Sequence, residues 1–344
     1  MTHTGAMTTA AGTRHTGARD EPRVPWPVKY AVLVLVWGSS FLLMKVGLSA
    51  LAPVQMSTLR ILTGTVVLLG LLRLSRGRLP RSWAVWRHLL VVGVCLSALP
   101  FTLFALSETR ISSALAGIGN STTPIATVIA SSLLLRADPV PPRKIVAVVV
   151  GFLGVVLIAA PWTAADRPDL VGFAMAVGGG ASYGLGWAYQ RRFLHGVDLG
   201  GVAQPTAVLL VGSACIVPVA LVSWWLDPER LATPWSVHPP TGGYAAWLPV
   251  LAVLALGAVG TGLAFMWQYD VVRAAGPVVG ATVTYLIPIV SVLLGVLVLG
   301  EHLTWTSLAG FAVVLGAAFV VNAPSRPSAA GSVRLRGRRA RPGG

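Results

Sequence analysis

A few charged side chains stand inside or at the edges of long apolar stretches, among them Lys45, Arg60, Glu108, Asp270 and Glu301. Arg60 lies about seven residues into one stretch, roughly 10 Å deep if the stretch is a helix. A cation at membrane depth costs about 2.5–3.5 kcal/mol on insertion scales and needs polar company. Arg60 therefore reads either as an anchor for a solute carboxylate or phosphate, or as a structural group tying down a helix end. Lys45, near a helix end, reads as a snorkelling side chain. The acids Glu108, Asp270 and Glu301 all fall near span ends, so a proton relay would have to use an edge acid. Trp37, Asn120, Tyr183, Trp187 and Tyr285 offer rings and polar handles that suit a cavity wall, or equally helix packing and interhelical hydrogen bonds. Pro124 and Pro288 each remove a backbone donor from an apolar helix, which predicts kinks that serve as hinges, site walls or plain structure. His3, His15, His88, His195, His238 and His302 lie in tails or at segment edges, without paired metal-ligand spacing. Cys95 and Cys215 have no close Cys or His partner, so no metal and no cofactor is expected.

The elements that must position these residues follow from composition. Of 344 residues, 55% are hydrophobic and 11% charged, against about 25% charged for a soluble domain. Mean hydropathy is +0.75. Too few charges are present to cover a soluble fold, and the hydrophobicity excludes general disorder. Ten apolar segments follow one another: 28–48, 54–74, 88–107, 111–135, 144–161, 170–190, 203–226, 245–269, 276–299 and 305–322. Each has about the length that crosses a ~30 Å hydrocarbon layer as a helix. The expected fold class is an all-α integral membrane protein with ten transmembrane helices. Ala50-Leu51-Ala52 resembles a cleavage site, but the long polar lead and long apolar run argue against a removed signal.

The net charge of +15 is explained by location. With the N-terminus in the cytoplasm, cytoplasmic segments carry 21 of the 26 Lys and Arg residues, and external loops carry Arg110, Arg167 and Arg230. This follows the positive-inside rule and places both chain ends in the cytoplasm of a cell that inserts the protein in its inner (plasma) membrane. The bilayer is thus one partner, and a nucleic-acid partner is not expected. Residues 1–27 read as a disordered cytoplasmic tail and 325–344 as a basic one.

The chain also resembles itself. Leu90–Leu135 aligns without gaps to Leu254–Leu299, matching Gly93 with Gly257, Phe101 with Phe265 and Pro124-Ile125 with Pro288-Ile289. Trp37 aligns with Tyr183 and Phe41 with Trp187 in the first helix of each copy. Copies at 28–161 and 162–324 hold five helices each. Five is odd, so the second copy enters the membrane from the opposite side, giving two inverted five-helix repeats as in many secondary transporters. Gly180-Ala181-Ser182-Tyr183-Gly184 and Gly276-Pro277-Val278-Val279-Gly280 permit close helix contact. A phosphate loop is not indicated, since no Gly-Lys-Ser/Thr follows Gly178-Gly179-Gly180.

Trp37-Gly38-Ser39-Ser40-Phe41, Arg60, Pro124, Pro288 and Leu299-Gly300-Glu301 together resemble the EamA-type branch of the drug/metabolite transporter superfamily, over about 28–324. The first copy departs with Arg136-Ala137-Asp138 where Gly-Glu is usual. The resemblance implies an inner-membrane carrier of amino acids or other small metabolites. Arg60 without a mid-span acid points to a zwitterionic or anionic small-molecule substrate. The competing classes are a non-transporting membrane scaffold or regulatory subunit, and a membrane-embedded enzyme, for which no reactive set is visible. Monomer and homodimer both fit the sequence.

Overall fold

The computed structural model describes residues 24–135, 142–159, 169–197, 199–227 and 233–322. The described residues form helices and connectors, without strands. In chain order the helices are α1 (Trp26–Gly38), α2 (Ser40–Gly47), α3 (Pro53–Leu74), α4 (Trp83–Gly93), α5 (Leu99–Glu108), α6 (Ser113–Asn120), α7 (Thr123–Leu135), α8 (Pro142–Ala159), α9 (Leu170–Phe193), α10 (Ala203–Leu226), α11 (Leu248–Gly257), α12 (Ala264–Leu299) and α13 (Trp305–Asn322). A π-helical turn joins α4 to α5 at Val94–Ala98, and a second joins α11 to α12 at Ala258–Leu263. Five described stretches are long and apolar enough to cross a membrane: Trp26–Gly47, Pro53–Leu74, Trp83–Glu108, Ala203–Leu226 and Leu248–Ala275. Shorter apolar helices cover Ile145–Ile158, Leu286–Leu299 and Trp305–Ala317.

Several expected segments differ in detail. The stretch expected at 28–48 is interrupted at Ser39, where the Ser39 and Ser40 hydroxyls both donate to the Val36 carbonyl. The stretch expected at 111–135 breaks at Ser121 and Thr122. The third begins earlier than expected, at Trp83. The junction expected between 269 and 276 is helical throughout, yet the 36-residue α12 would be about 54 Å long if straight. It is not straight. Trp37 bonds to Gly260 and Lys29 to Asp270, so the chain descends along α1. Gly38 then packs against Ile287 and Val290, so the chain has turned back between Asp270 and Ile287.

Small residues set how closely the helices approach. Thr65 bonds to the Leu209 carbonyl and Ser213, and Thr206 to the Leu68 carbonyl, so α3 and α10 run antiparallel. α8 and α13 also cross antiparallel: Gly151 faces Ala317, Gly154 faces Val314 and the Gly310 carbonyl, and Gly310 faces Ile158. Gly93 gives α10 room beside the first π turn, and Gly257 gives α3 room beside the second. On α9, Gly180 faces Thr122 and Thr123, and Gly184 lies against the backbone of Ala126 and Thr127. The glycine pattern read from sequence is here the seat of α6 and α7.

α9 starts with a side-chain cap, Asp169 accepting from the Gly172 amide at 2.7 Å. That bond, and then Arg110, hold the Asp169 carboxyl below the usual carboxylate range. The cap is therefore complete at neutral pH and is lost as pH falls through the lowered value. The outward faces are apolar: Leu297 is 77% and Phe319 72% exposed. Exposed tryptophans mark helix ends, with Trp26, Trp83 and Trp305 opening α1, α4 and α13 and Trp225 closing α10. Such a belt suits the two faces of a bilayer.

Gly184→Ala is expected to lower the melting temperature in detergent, because its Cβ would sit 2.6 Å from the Thr127 backbone nitrogen. Overpacking of this kind costs about 1–3 kcal/mol. Gly316→Ala, which meets nothing within 4 Å, should leave melting unchanged or raise it slightly; equal melting of the two variants would refute this account of the α7–α9 contact.

Candidate functional site

Arg60 lies on the buried side of α3 and is 5% exposed. Its Nε donates to Thr261 Oγ1 at 2.9 Å, its Nη1 contacts Met44 Sδ at 3.2 Å, and its guanidinium carbon stands 3.8 Å over the Phe101 ring centre. The second π turn presents Thr261, whose hydroxyl also bonds the Leu256 carbonyl five residues back at 3.2 Å. No acid lies within ion-pair distance of Arg60 among the described residues. A buried guanidinium is thus held by a hydroxyl, a thioether and a ring face, all neutral.

The Phe101 ring against it belongs to a connected aromatic cluster. Phe101 meets Tyr183 at 6.4 Å and Phe265 at 6.5 Å between ring centres, both edge-on. Phe104 stacks on Tyr183 at 6.0 Å and meets Phe41 edge-on at 5.4 Å. Trp37 meets Phe265 at 6.5 Å. Its indole N–H is taken by the Gly260 carbonyl at 3.0 Å, inside the second π turn. The first π turn offers the matching contact: Ser182, beside Tyr183, donates to the Cys95 carbonyl at 2.9 Å. Each copy's first helix therefore docks on the other copy's irregular turn.

The structure brings Arg60, Trp37 and Tyr183 together and sets the other expected residues apart. Trp187 belongs to a second layer, tilted on Tyr269 at 6.3 Å, with the Tyr269 hydroxyl donating to Gln190. Asn120 ends α6 at the break. Pro124 has no N–H for the Asn120 carbonyl, and Thr123 Oγ1 takes that carbonyl instead at 2.8 Å. Pro288 lies within α12, one residue from the Ile287 carbonyl that faces Gly38. The Tyr285 side chain lies outside the described residues, as do Arg136, Ala137 and Asp138. Lys45 does not snorkel: it donates to the Glu108 carbonyl at 2.8 Å and the Ile111 carbonyl at 3.4 Å, closing the end of α5.

Asp270 is paired with Lys29 and Arg273, each at 2.5 Å, at the start of α1. Arg273 also donates to the Gly201 carbonyl. Glu301 caps another helix: its carboxylate accepts from the Ser113 amide at 2.7 Å and the Ala114 amide at 2.9 Å, at the start of α6. Gly300, with φ +66°, makes the turn that aims it there. Glu108 is buried and stands near Lys45, Arg60 and Glu301.

The EamA-like transporter family model matches residues 26–160 and again residues 170–323. The chain belongs to that family. It is similar to the uncharacterized transporter YvbV of Bacillus subtilis, 22% identical over 91% of this chain and 97% of the relative. It is also similar to the uncharacterized inner membrane transporter YedA of Escherichia coli, 25% identical over 82% of this chain and 87% of the relative. Protein PecM of Dickeya dadantii is 24% identical over 83% and 88%. A crystal structure of a protein 20% identical covers 86% of this chain and 96% of its own, with a TM-score of 0.57, which shows the shared fold. A multi-pass membrane transporter binds a small molecule and lipid, and this EamA-family chain is one.

Phe101, Phe104, Phe265, Met44 and Thr261 were not singled out from sequence as site residues. Phe101 and Phe265 were visible as matched positions of the repeat, and that was their only signal. Shallow clefts among the described residues lie away from the aromatic cluster, one lined by Pro218, Val219, Val222 and Ser223 and one between Gln55 and Trp224. The centre is filled by its own rings.

Glu301→Ala is expected to destabilise the protein by about 1 kcal/mol, the usual worth of an N-terminal cap, while Glu301→Gln loses less because one acceptor oxygen remains. Thermal melts of the two variants against the parent check this; identical melts would show that the cap contributes nothing.

Proposed function

We propose that this chain is a secondary transporter that moves a small zwitterionic or anionic metabolite, in the direction of efflux, across the inner membrane by alternating access. The observation that carries the reading is Arg60: a buried guanidinium without an acid partner among the described residues, held by the Phe101 ring and Met44 of one family-matched segment and by Thr261 of the other. A carboxylate or phosphate supplies the countercharge that its neutral partners do not, through paired N–H···O bonds. Trp37, Tyr183, Phe101 and Phe265 form the walls for the rest of the solute. In this reading Asn120, Tyr285 and Trp187 are further candidates for substrate contact, and the Pro124 break and Pro288 act as hinges.

The scaffold of the proposal is ten crossings in two inverted five-helix copies, 28–161 and 162–324, with the tails 1–27 and 325–344 and hence both termini cytoplasmic. The antiparallel pairing of α3 with α10 and of α8 with α13 supports it, as does the exchange of π-turn contacts. Rocking of one copy against the other opens the aromatic cluster to either side. The Lys29–Asp270–Arg273 clasp closes one end. The connector before α11 closes the other, with His238 and Thr241 donating to the carbonyls of Ala50 and Ser49 at 2.9 Å. In this reading the protein is not an enzyme, needs no cofactor, metal or nucleic acid, and works as a monomer or homodimer. The filled centre favours one second reading, a non-transporting scaffold or regulatory subunit whose core never opens.

Untargeted comparison of metabolites inside and outside cells with and without the protein is expected to reveal a solute whose distribution depends on it. Arg60→Gln should lower its transport about 10-fold or more, the loss of a charge-assisted contact, with membrane insertion intact. The absence of any dependent solute favours the scaffold, whereas transport by Arg60→Gln at the parent rate removes Arg60 from the substrate site. Tags on the two chain ends that label from opposite sides of the membrane would overturn the ten-crossing arrangement.

A further inference from the structure

Of the three span-edge acids singled out in the sequence, Glu108, Asp270 and Glu301, two are engaged. Asp270 is in its clasp and Glu301 caps α6. Glu108 differs. It closes α5, is 1% exposed, and neither carboxyl oxygen has a hydrogen-bond partner. Charged groups approach it from the packed elements without pairing to it. Lys45 of α2 gives its ammonium to the main-chain carbonyl of Glu108 itself, at 2.8 Å, and not to the carboxyl. Arg60 of α3 is turned to Thr261 and Met44. Glu301, at the start of α6, is saturated by two amides. The Ser113 hydroxyl lies against the carboxyl but points to the Phe41 carbonyl at 3.4 Å. At the mouth of α9, Arg110 and Asp169 pair with each other at 3.3 Å.

A carboxylate stripped of water and given no donor is among the most costly groups to bury, whereas the neutral acid loses far less. Lys45 and Arg60, the nearest cations, make their hydrogen bonds to other groups, and the Glu108 carboxyl oxygens are left without one. We propose that Glu108 is a proton-binding site of the conformational cycle, protonated in the closed arrangement and ionised when the bundle opens and water reaches it. This rests on the transporter reading above. In the ionising step the O–H bond breaks, the proton passes to water on the open side, and the electron pair stays on the carboxylate. Lys45 and Arg60 are then the cations near enough to counter the new charge, and Ser113 the hydroxyl able to turn to it. In the orientation proposed above, Glu108 sits toward the external face, which is the side that exchanges the proton.

The test uses the proton itself as probe and needs no solute. The purified full-length chain, reconstituted in liposomes of neutral and anionic phospholipid on a solid-supported membrane, is stepped between pH values while charge movement is recorded. The parent protein is expected to give a transient current. Glu108→Gln should reduce it to the level of empty liposomes, Glu108→Asp should keep it with a displaced pH midpoint, and Glu301→Gln should keep it. If Glu108→Gln does not fold, the displaced midpoint of Glu108→Asp decides. A parent without current, a Glu108→Gln current equal to the parent's, or an undisplaced Glu108→Asp midpoint overturns the proposal. A Glu108-dependent current without any transported solute would sink the transporter reading and leave the proton site standing; a transported solute without that current would do the reverse.

Discussion

A cation in the middle of an apolar bundle must be given partners by the protein, because lipid gives none. Arg60 meets that demand with one hydroxyl, one thioether and one ring face, and each comes from a different element. Thr261 is available only because its helix passes through a π turn at that level. Phe101 is available only because the equivalent helix does the same at Val94–Ala98. The position of the guanidinium therefore constrains the irregular turns, and those turns constrain which helices touch.

The remaining departures from regular helix follow one rule: a backbone group left unpaired inside the bundle is taken by a side chain nearby. Thr123 covers the carbonyl that Pro124 leaves open. Trp37 and Ser182 cover carbonyls within the π turns. Lys45 closes the end of α5, and the start of α6 is closed by Glu301, reaching from 187 residues away. These bonds use strong donors and acceptors in a low dielectric, so each holds a helix end at a defined place. Among the described residues, Glu108 is the acid for which this rule goes unmet.

Much of this was legible beforehand. The apolar spans, the duplication and the family resemblance follow from residue types along the chain, and the structure has helices where they were expected. Arg60, Trp37 and Tyr183 were singled out and do meet. Trp187 was grouped with them by the repeat alignment but faces Tyr269, because one helical turn separates it from Tyr183 and carries it to another layer. Lys45 was misread because its reach to a carbonyl 63 residues on has no signature in the local pattern. The breaks at Ser39 and Ser121 were signalled weakly, by serines and threonines next to a glycine or proline.

Composition and order alone determined that the chain is a bundle of apolar helices built from two related copies, since hydrophobic length and repeated motifs are properties of consecutive residues. Which acid is a cap, which is a clasp and which is left bare was decided only when distant helices came together. The physical reason is range: burial of a span depends on its own residues, whereas the pairing of a charge depends on groups up to 241 positions away, brought near by glycine-lined crossings.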